Sequence, residues 1–392
     1  MRSKSKLSKN TKLLALTSFL VDISSEMVVP LLPFFVTTIL GAPLFVLGLI
    51  EAVRELTANV VGIFSGIISD KLGKKKNIII LGYSLSGLMK VFLVTATTWF
   101  SVLPIVFFER VGKGIREAPR DALITHSEPK ENLGYAFGFR KMCDNAGAFI
   151  GPILATFLLT ILISQGVDYA YRTIFLIALI PAALSIVVLL FLQEKDGHKA
   201  TDGVKTIIGD VLKIPNFKKF VFCMFLFSLG QFAISFFLIR AADYLTLFLI
   251  PVVYLAYNAM YTVLSLPAGY FTDKVGAKNS LLFSQVLFLT VLLGFSFFAN
   301  SVSLFLFFGL FGVFMTINET APRVFLAKSV DHKHYASSIG LYQGLIGVAA
   351  LPANILAGFL YTTKILDVPA SFVFSIVTTV LSMLLLLILV KE

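Results

Sequence analysis

The stretch "GIISDKLGKKK", residues 66–76, places one acid and four lysines between two long apolar segments. A second stretch, "GYFTDKVGAK" at residues 269–278, repeats its Gly, Asp, Lys, Gly and Lys at the same spacing. The opening glycines, Gly66 and Gly269, are 203 positions apart (269 minus 66). A charged turn used twice in an apolar chain indicates an internal duplication.

Two further matches support the duplication. "APR" at residues 118–120 recurs at 321–323, and "ILA" followed by "FL" at 153–158 recurs at 355–360. These matches fall on predicted spans 2, 4 and 5 and then on spans 8, 10 and 11. A six-helix unit used twice would produce this order.

The composition indicates a membrane protein, since 57% of the 392 residues are apolar, 14% are charged and the mean hydropathy is +0.89. A spanning helix needs about 20 apolar residues, and long runs without period-two alternation favour helices over a barrel. The sequence therefore predicts an all-α membrane protein with 12 transmembrane helices in two pseudo-symmetric six-helix bundles. The predicted spans are 12–39, 44–70, 77–97, 99–125, 132–163, 171–192, 217–242, 247–272, 279–299, 301–328, 334–362 and 368–390.

The duplication predicts three parts: an N-terminal bundle at 1–192, a cytoplasmic linker at 193–219 and a C-terminal bundle at 220–392. Parallel repeats of this kind are typical of carriers that work by alternating access, with the substrate site at mid-depth between the halves. The sequence favours a carrier on this ground.

Basic residues concentrate in alternate turns of the predicted topology, and the opposite turns carry at most Arg172, Arg240 and Lys364. By the positive-inside rule, both termini are expected in the cytoplasm of a multi-pass protein of the cell membrane. The first span is expected to be retained, because it is too long for a signal peptide and lacks a small-residue cleavage site. Charge sorted by turn parity also argues against a nucleic-acid partner, despite the net charge of +11.

The sequence shows no pattern typical of an enzyme or of a bound cofactor. "GKG" at 112–114 lacks phosphate-loop spacing, and no nucleophile triad can be placed in one site. Cys143 and Cys223 fall in predicted spans of different halves, so we expect small buried side chains and no disulfide. His332 and His334 lack further ligands at metal spacing. We therefore expect no catalytic residues, no cofactor and no resident metal.

Ionisable groups at mid-membrane are costly, and each one is therefore a candidate for function. Asp22 and Glu26 share a helical face, as do Glu51 and Glu55 in span 2 and Arg140 and Asp144 in span 5. Mutual repulsion and desolvation of two carboxylates on one face favour protonation of one of them. The predicted proton-coupling residues are Asp22, Glu26, Glu55, Arg110 and Asp144. For Glu51, Arg54, Lys90 and Arg140, structural pairing between helices is the favoured interpretation.

The C-terminal half replaces several of these charges with aromatic and amide side chains, which suit stacking, hydrogen bonding and cation–π contact with an organic solute. Individually each of them is expected to serve packing. As a set, the predicted substrate-binding residues are Gln231, Tyr254, Tyr257, Asn258, Asn318, Tyr342, Gln343 and Asn354.

The charged turn at 66–75 resembles the helix 2 to helix 3 signature of the major facilitator superfamily, and "RVGKG" at 110–114 is similar to the family's second motif. The family fold agrees with the predicted twelve spans. An acid at the end of span 2 can accept hydrogen bonds at a helix N-terminus and pair with a nearby arginine. We expect Asp70–Arg120 and Asp273–Arg323 latches at the inner gate. The predicted gating residues are Gly66, Asp70, Lys71, Gly73, Lys74, Arg120, Asp273 and Arg323.

Span 5 resembles the antiporter signature of that family through Gly138, Gly147, Gly151 and Pro152, with Ala155 at the last glycine position. "MVVPLLPFF" in span 1 is similar to the drug and proton antiporters. An alternative is that the small residues only form a packing seam.

The resemblance implies a proton-coupled antiporter that exports a small amphipathic or cationic organic solute, with protons, the solute and the lipid bilayer as partners, and we expect a monomer. The alternatives are an uptake symporter of a small nutrient, a divalent-metal carrier using Asp22, Glu26 and Glu55, and a membrane scaffold or receptor that transports nothing.

Overall fold

The computed structural model describes residues 7–72, 75–129, 132–193, 215–329 and 335–390, and nearly all of them are helical. Two two-residue strands, β1 and β2, form an antiparallel hairpin near the C-terminus. In chain order the elements are α1 (Lys9–Val28), α2 (Leu32–Phe34), α3 (Leu44–Leu72), α4 (Lys75–Thr95), α5 (Trp99–Ser127), α6 (Leu133–Leu162), α7 (Val167–Ile177), α8 (Leu179–Leu190), α9 (Pro215–Gly230), α10 (Ile234–Ala241), α11 (Ile250–Val263), α12 (Ser265–Val275), α13 (Ala277–Phe297), α14 (Ser303–Ser329), α15 (Tyr335–Leu360), β1 (Lys364–Ile365), β2 (Val368–Pro369) and α16 (Ala370–Leu389).

Within the described residues, 8 helices are long and apolar enough to cross a membrane, or up to 10 if each of two bent pairs is one span. Outside this set are two helices of 29 residues, α3 and α5. At 1.5 Å per residue each is about 43 Å long. Of the charged residues that the sequence singles out at mid-membrane, α3 carries Glu51, Arg54 and Glu55, and α5 carries Arg110.

The described residues of the predicted spans are mainly helical, but four of the spans are interrupted. Residues 29–31 separate α1 from α2, and the two parts of this span differ in direction by 40°. A break at Ala178 divides α7 from α8, and one at Leu264 divides α11 from α12. Proline accounts for these three, since Pro30 and Pro33, Pro181 and Pro267 cannot donate the main-chain hydrogen bond of the helix.

The fourth break, residues 231–233 between α9 and α10, contains no proline. Here the backbone N–H of Ala233 donates to Asn354 Oδ1 at 2.8 Å instead of to a helix carbonyl. Gly230 lies against Thr378 of α16, where a Cβ atom would collide with the threonine hydroxyl. Neighbouring helices therefore satisfy the freed backbone, as irregular segments at membrane depth require.

The described contacts divide the chain into two compact units. Unit 1 comprises residues 1–41 and 57–201, and unit 2 comprises 42–56 and 202–392. In unit 1, α1 packs along α6 and α4 packs along α5. Leu14, Ile79, Ile124 and Leu189 contribute fully buried side chains to its core.

Unit 2 has a core rich in phenylalanine. Phe237 of α10 packs between Phe311 of α14 and Phe372 of α16, with ring centroids 4.8 and 5.4 Å away. The first turns of α3 also belong to this unit, because Gly48 lies against the backbone of Asn354 and Gly358 against that of Leu44. A division of the chain into its two sequence halves would instead place residues 42–56 with unit 1.

The glycine of the repeated charged turn has a clear conformational role in its second copy. Gly276 ends α12 and begins α13 with φ +92°, a backbone conformation that side-chain-bearing residues rarely adopt. The first copy, Gly73, lies outside the described residues.

The start of α1 is tied to the turn after α5. The backbone N–H of Ser8 donates to Glu128 Oε1 at 2.8 Å. Burial raises the pKa of Glu128, but hydrogen bonds from Thr11 and Ser8 outweigh this effect and hold the pKa below its ordinary value. A lowered pKa in the folded state means that the stabilisation is present above the unfolded-state pKa and is lost as the pH falls.

We therefore expect Glu128→Gln to reduce the stability of the purified protein by about 1–2 kcal/mol at pH 7, because the glutamine oxygen can still accept and only the difference between a charged and a neutral acceptor is lost. The difference from the unchanged protein should shrink from about pH 5 to pH 3, as the carboxyl binds a proton first in the unfolded and then in the folded state. Thermal unfolding in detergent across this pH range measures it, with the exposed Asp367→Asn as control. An equal loss at both ends of this range would contradict the account.

Candidate functional site

In unit 1, the glycines of α6 lie directly against the acidic turns of α1. A Cβ atom at Gly147 would lie 2.5 Å from the Phe19 carbonyl oxygen and 2.9 Å from Asp22 Cβ. A Cβ atom at Gly151 would lie 2.7 Å from Glu26 Cβ. Both positions are therefore closed to larger side chains, and the glycines bring the α6 backbone against the turns that carry both acids.

The other two residues of the predicted signature differ from this pair. Gly138 is exposed, and its Cβ position has no atom of the described chain within 4 Å. Pro152 is buried within α6, next to Gly151. The close approach of α6 to α1 thus depends on the middle of the signature, not on its first glycine.

Asp144 belongs to a chain of charges on α5 and α6. Arg140 Nη1 donates to Asp144 Oδ2 at 2.8 Å, and Arg140 Nε lies 3.9 Å from Asp121 Oδ1. Arg120 Nε donates to the same Asp121 oxygen at 3.1 Å, and its Nη1 is 3.5 Å from Ser18 Oγ on α1. The predicted sharing of one face by Arg140 and Asp144 agrees with this geometry.

Asp22 is half-buried and lies within electrostatic range of Asp144 and Glu26, and also of Lys113 and Arg116. The second carboxylate oxygen of Asp144, Oδ1, is buried with no hydrogen-bond partner in the described part of the chain. Three carboxylates and two cations therefore act on one another across α1, α5 and α6. Such a group can change its proton content when its surroundings change.

Two of the charged residues singled out from the sequence have polar partners within unit 1. Lys90 of α4 is buried, and its Nζ donates to Ser24 Oγ at 2.5 Å and to Ser25 Oγ at 3.2 Å. Arg110 forms an ion pair with its neighbour Glu109 at 2.8 Å. Lys90 thus ties α4 to α1, in line with the structural pairing favoured for it from the sequence.

Sequence reasoning missed Arg116 of α5. Its Nη1 donates to Ser86 Oγ at 2.8 Å, and its guanidinium carbon lies 4.3 Å from the centroid of the Tyr83 ring. A signal was available, because Arg116 follows Lys113 by three residues and precedes Arg120 by four, which places the three cations on one helical face.

Unit 2 contains a pocket of about 170 Å³ formed around the break between α9 and α10. Its polar lining comes from Glu55, Ser228, Gln231 and Tyr257. Its apolar lining comes from the break, from the start of α10 and from α13, α14 and α15, and consists of Phe232, Ala233, Ile234, Phe288, Phe311, Phe314, Met315, Ile346 and Ala350. Glu55 is thus the one acidic side chain among the residues described around this pocket.

The aromatic rings that line the pocket pack against one another. Phe288 and Phe314 are stacked with centroids 4.6 Å apart, and Phe311 and Phe314 are stacked at 5.7 Å. Tyr257 lies 5.6 Å from Phe311. An aromatic wall facing a carboxylate suits a solute that is both apolar and positively charged.

Glu51, one turn before Glu55, is engaged in a local network. Arg54 Nη1 donates to both Glu51 carboxylate oxygens at 3.0 Å, and Ser235 Oγ of α10 donates to Oε1 at 2.5 Å. Only 5% of Glu51 is exposed. The favoured structural interpretation of Glu51 and Arg54 agrees with these contacts.

Among the predicted substrate-binding residues, Gln231 and Tyr257 line the pocket. Tyr254 stacks near Tyr257 with centroids 5.6 Å apart, and Asn258 is buried on the same helix. Asn354 is fully buried, and its amide donates to Ala350 O and accepts from Ala233 N. The structure therefore gives Asn354 the role of supporting the break.

The remaining three lie elsewhere in unit 2. Tyr342 stacks on Phe220 at 5.7 Å, Gln343 is exposed, and Asn318 has a buried Oδ1 with no hydrogen-bond partner in the described chain. Sequence reasoning also missed Glu319, which accepts a hydrogen bond from Tyr261 at 2.7 Å.

The predicted gating residues are only partly described. Gly66, Asp70 and Lys71 belong to the helix α3, but their side chains lie outside the described ones, and Gly73 and Lys74 lie outside the described residues altogether. Asp273 and Arg323 are both exposed. Both latches therefore remain predictions.

The chain matches the family model described as Major Facilitator Superfamily over residues 14–248 and 220–392. It is 34% identical to an uncharacterized MFS-type transporter of Methanocaldococcus jannaschii, over 97% of this chain and 95% of the relative.

A homolog of the multi-drug resistance efflux pump PmrA from Lactococcus lactis is 26% identical over 36% of this chain and 36% of the pump. Among solved structures, a point mutant of the nucleoside transporter NupG matches with a TM-score of 0.82 and 16% identity, covering 98% of this chain and 100% of that one. At this identity the structural match indicates the fold alone.

Proposed function

Because the chain belongs to the major facilitator superfamily, we propose that it is a secondary transporter that exports a small amphipathic or cationic organic solute in exchange for protons. Partial similarity to the L. lactis efflux pump homolog supports export. The solute and the proton are its two ligands, and its fold requires a lipid bilayer.

The observation that carries the proposal is the pocket of unit 2. It combines one carboxylate, Glu55, with the stacked rings of Phe288 and Phe314 and the ring of Tyr257. Aromatic faces together with the exposed carboxylate of Glu55 favour an organic cation over an anion. A sugar or another highly hydroxylated solute would leave most of its hydroxyl groups without partners on such a wall.

Proton coupling is assigned to the acids of unit 1 and to Glu55. Asp22, Glu26 and Asp144 interact electrostatically, with the positive charges of Lys113 and Arg116 nearby. Protonation of one carboxyl relieves the mutual repulsion of the group. The packing of Gly147 and Gly151 on α1 supports a link between the antiporter signature and this proton site.

The proposed topology has twelve spans in two six-helix bundles, 1–192 and 220–392, joined by a cytoplasmic linker at 193–219. Both termini are cytoplasmic, the membrane is the cell membrane and the transporter is a monomer. The inner gate closes through the Asp70–Arg120 and Asp273–Arg323 latches in the outward-open state.

We expect Glu55→Gln to weaken binding of phenethyltrimethylammonium, an aromatic cation with a permanent charge, by at least about tenfold, because the pocket loses its opposite charge. Calorimetry on the purified protein in detergent measures the effect. Asp243→Asn is the matched control, since Asp243 pairs with Arg240 away from the pocket. Unchanged affinity in Glu55→Gln would contradict the proposed site.

The uptake symporter is distinguished from the exporter by the direction of proton movement. The metal carrier has less support, since the described residues include no group of three or more His, Cys, Asp or Glu side chains that could hold a metal ion.

A further inference from the structure

The pocket of unit 2 contains a polar group that its neighbours leave unsatisfied. Gln231 lies in the break between α9 and α10 and lines the pocket. Its Nε2 atom is buried and has no hydrogen-bond partner in the described part of the chain. A buried donor without a partner destabilises a protein by about 1–3 kcal/mol, so its presence calls for an explanation.

The fold holds this donor in place. The backbone N–H of Gln231 donates to Ser228 O at 3.1 Å, and two residues later Ala233 is fixed by Asn354. Phe232, between them, packs against Phe237 at 5.0 Å and Phe372 at 5.3 Å. The backbone of the irregular segment is therefore anchored at Gln231 itself and at the two residues that follow it, which fixes where the Gln231 side chain begins.

Glu55 and Gln231 offer different chemistry to one ligand. The carboxylate of Glu55 attracts positive charge, whereas the Nε2 group of Gln231 donates a hydrogen bond and carries no charge. The aromatic lining from α13 and α14 can accept the apolar body of the same ligand, and the other side-chain donors of the pocket are the hydroxyl groups of Ser228 and Tyr257.

We propose that the pocket selects organic cations that also carry a hydrogen-bond acceptor, such as a carbonyl oxygen, and that Gln231 Nε2 binds this acceptor while Glu55 binds the cation. The inference rests on the proposed function and narrows its solute from any amphipathic cation to this class. Gln231 is then the residue that distinguishes acceptor-bearing cations from simple aromatic ones.

The expected preference for a carbonyl ligand depends on whether the bound ligand gives the Gln231 donor a hydrogen-bond partner or leaves it unpaired. In the structure Gln231 Nε2 has no partner within the described part of the chain, and a carbonyl placed beside it supplies the missing acceptor. A ligand with a methylene group at the same place leaves the donor buried and unpaired. We expect about a tenfold preference for the carbonyl ligand.

Three probes of similar shape test the separate contacts with Gln231 and Glu55. Phenacyltrimethylammonium carries a carbonyl and a permanent positive charge, and phenethyltrimethylammonium replaces the carbonyl by a methylene group. The neutral ketone 3,3-dimethyl-1-phenylbutan-1-one keeps the carbonyl and replaces the charged nitrogen by carbon. None of the three titrates, so affinity differences report the two contacts and not the pH.

Binding of each probe to the full-length protein in detergent is measured by calorimetry for the wild type, Gln231→Leu, Glu55→Gln and Gln343→Leu. The last makes the same chemical change at an exposed glutamine outside the pocket. We expect the wild type and Gln343→Leu to prefer the phenacyl cation over the phenethyl cation by about tenfold. Gln231→Leu should lose this preference and still bind both cations, while Glu55→Gln should keep it and lose the preference for cation over ketone.

Equal affinity of the wild type for the two cations would overturn the inference and leave the proposed function standing, and this outcome does not depend on whether any variant folds. A preference retained in Gln231→Leu would also overturn it. A wild type that binds the ketone as tightly as the phenacyl cation, or that binds no probe, would contradict the proposed function as well.

Discussion

Gly147→Val is expected to abolish transport and to lower the thermal stability of the protein strongly, whereas Gly138→Val should leave both nearly unchanged. A Cβ atom at Gly147 would lie 2.5 Å from the Phe19 carbonyl oxygen, a backbone atom that cannot turn aside as a flexible side chain could. Valine adds two methyl groups beyond this Cβ. The helices α1 and α6 would have to separate where α1 carries Asp22.

Overpacking of a tight interface costs about 1–3 kcal/mol, and more where backbone atoms collide. Gly138 is the matched control, since its Cβ position has no described atom within 4 Å and it belongs to the same predicted signature. Thermal unfolding in detergent and solute transport in proteoliposomes measure the two effects. Equal tolerance of both substitutions would show that α6 does not need to approach α1 closely.

Asp22→Asn is expected to abolish proton-coupled transport, or at least to reduce it by about tenfold, while binding of aromatic cations to the purified protein stays within a factor of about two. Asparagine keeps the shape of the side chain but cannot bind or release a proton in the charge group of Asp22, Glu26 and Asp144. Glu26→Gln tests the neighbouring carboxyl.

Asp168→Asn is the control for both variants, since Asp168 is an exposed acid that pairs with Arg172 at 2.7 Å at the start of α7. Proton movement in proteoliposomes under an imposed pH gradient measures the coupling. Full coupling in both Asp22→Asn and Glu26→Gln would defeat the assignment of the proton site.

The sequence predicted the helices well because each is long and apolar, and its repeated turn located equivalent ends of α3 and α12. The break at residues 231–233 could not be predicted, because no proline marks it and its cause is a hydrogen bond from Ala233 to Asn354, 121 residues away. Asn354 was predicted to bind the substrate because the sequence does not show that its amide has a hydrogen-bond partner within the protein.

The candidate site was predicted in part. Helical spacing placed Asp22 with Glu26 and Arg140 with Asp144, because i, i+4 neighbours follow from one helix alone. Gly147 and Gly151 lie against these acids because α6 packs against α1. Residue spacing within one helix gives no information about the packing of two helices. Glu55 was expected with the proton chemistry of the N-terminal half, but residues 42–56 pack in unit 2, where Glu55 lines the aromatic pocket.

The most direct test of proton-coupled export uses proteoliposomes with an acidic lumen, a pH-sensitive dye inside and the membrane potential clamped. Phenacyltrimethylammonium is added outside, and the luminal pH is followed for the wild type and for Asp22→Asn. The account predicts that the lumen of wild-type vesicles becomes more alkaline as protons leave in exchange for the entering cation, with little change in Asp22→Asn. Further acidification of the lumen, or no change in wild-type vesicles, would contradict it.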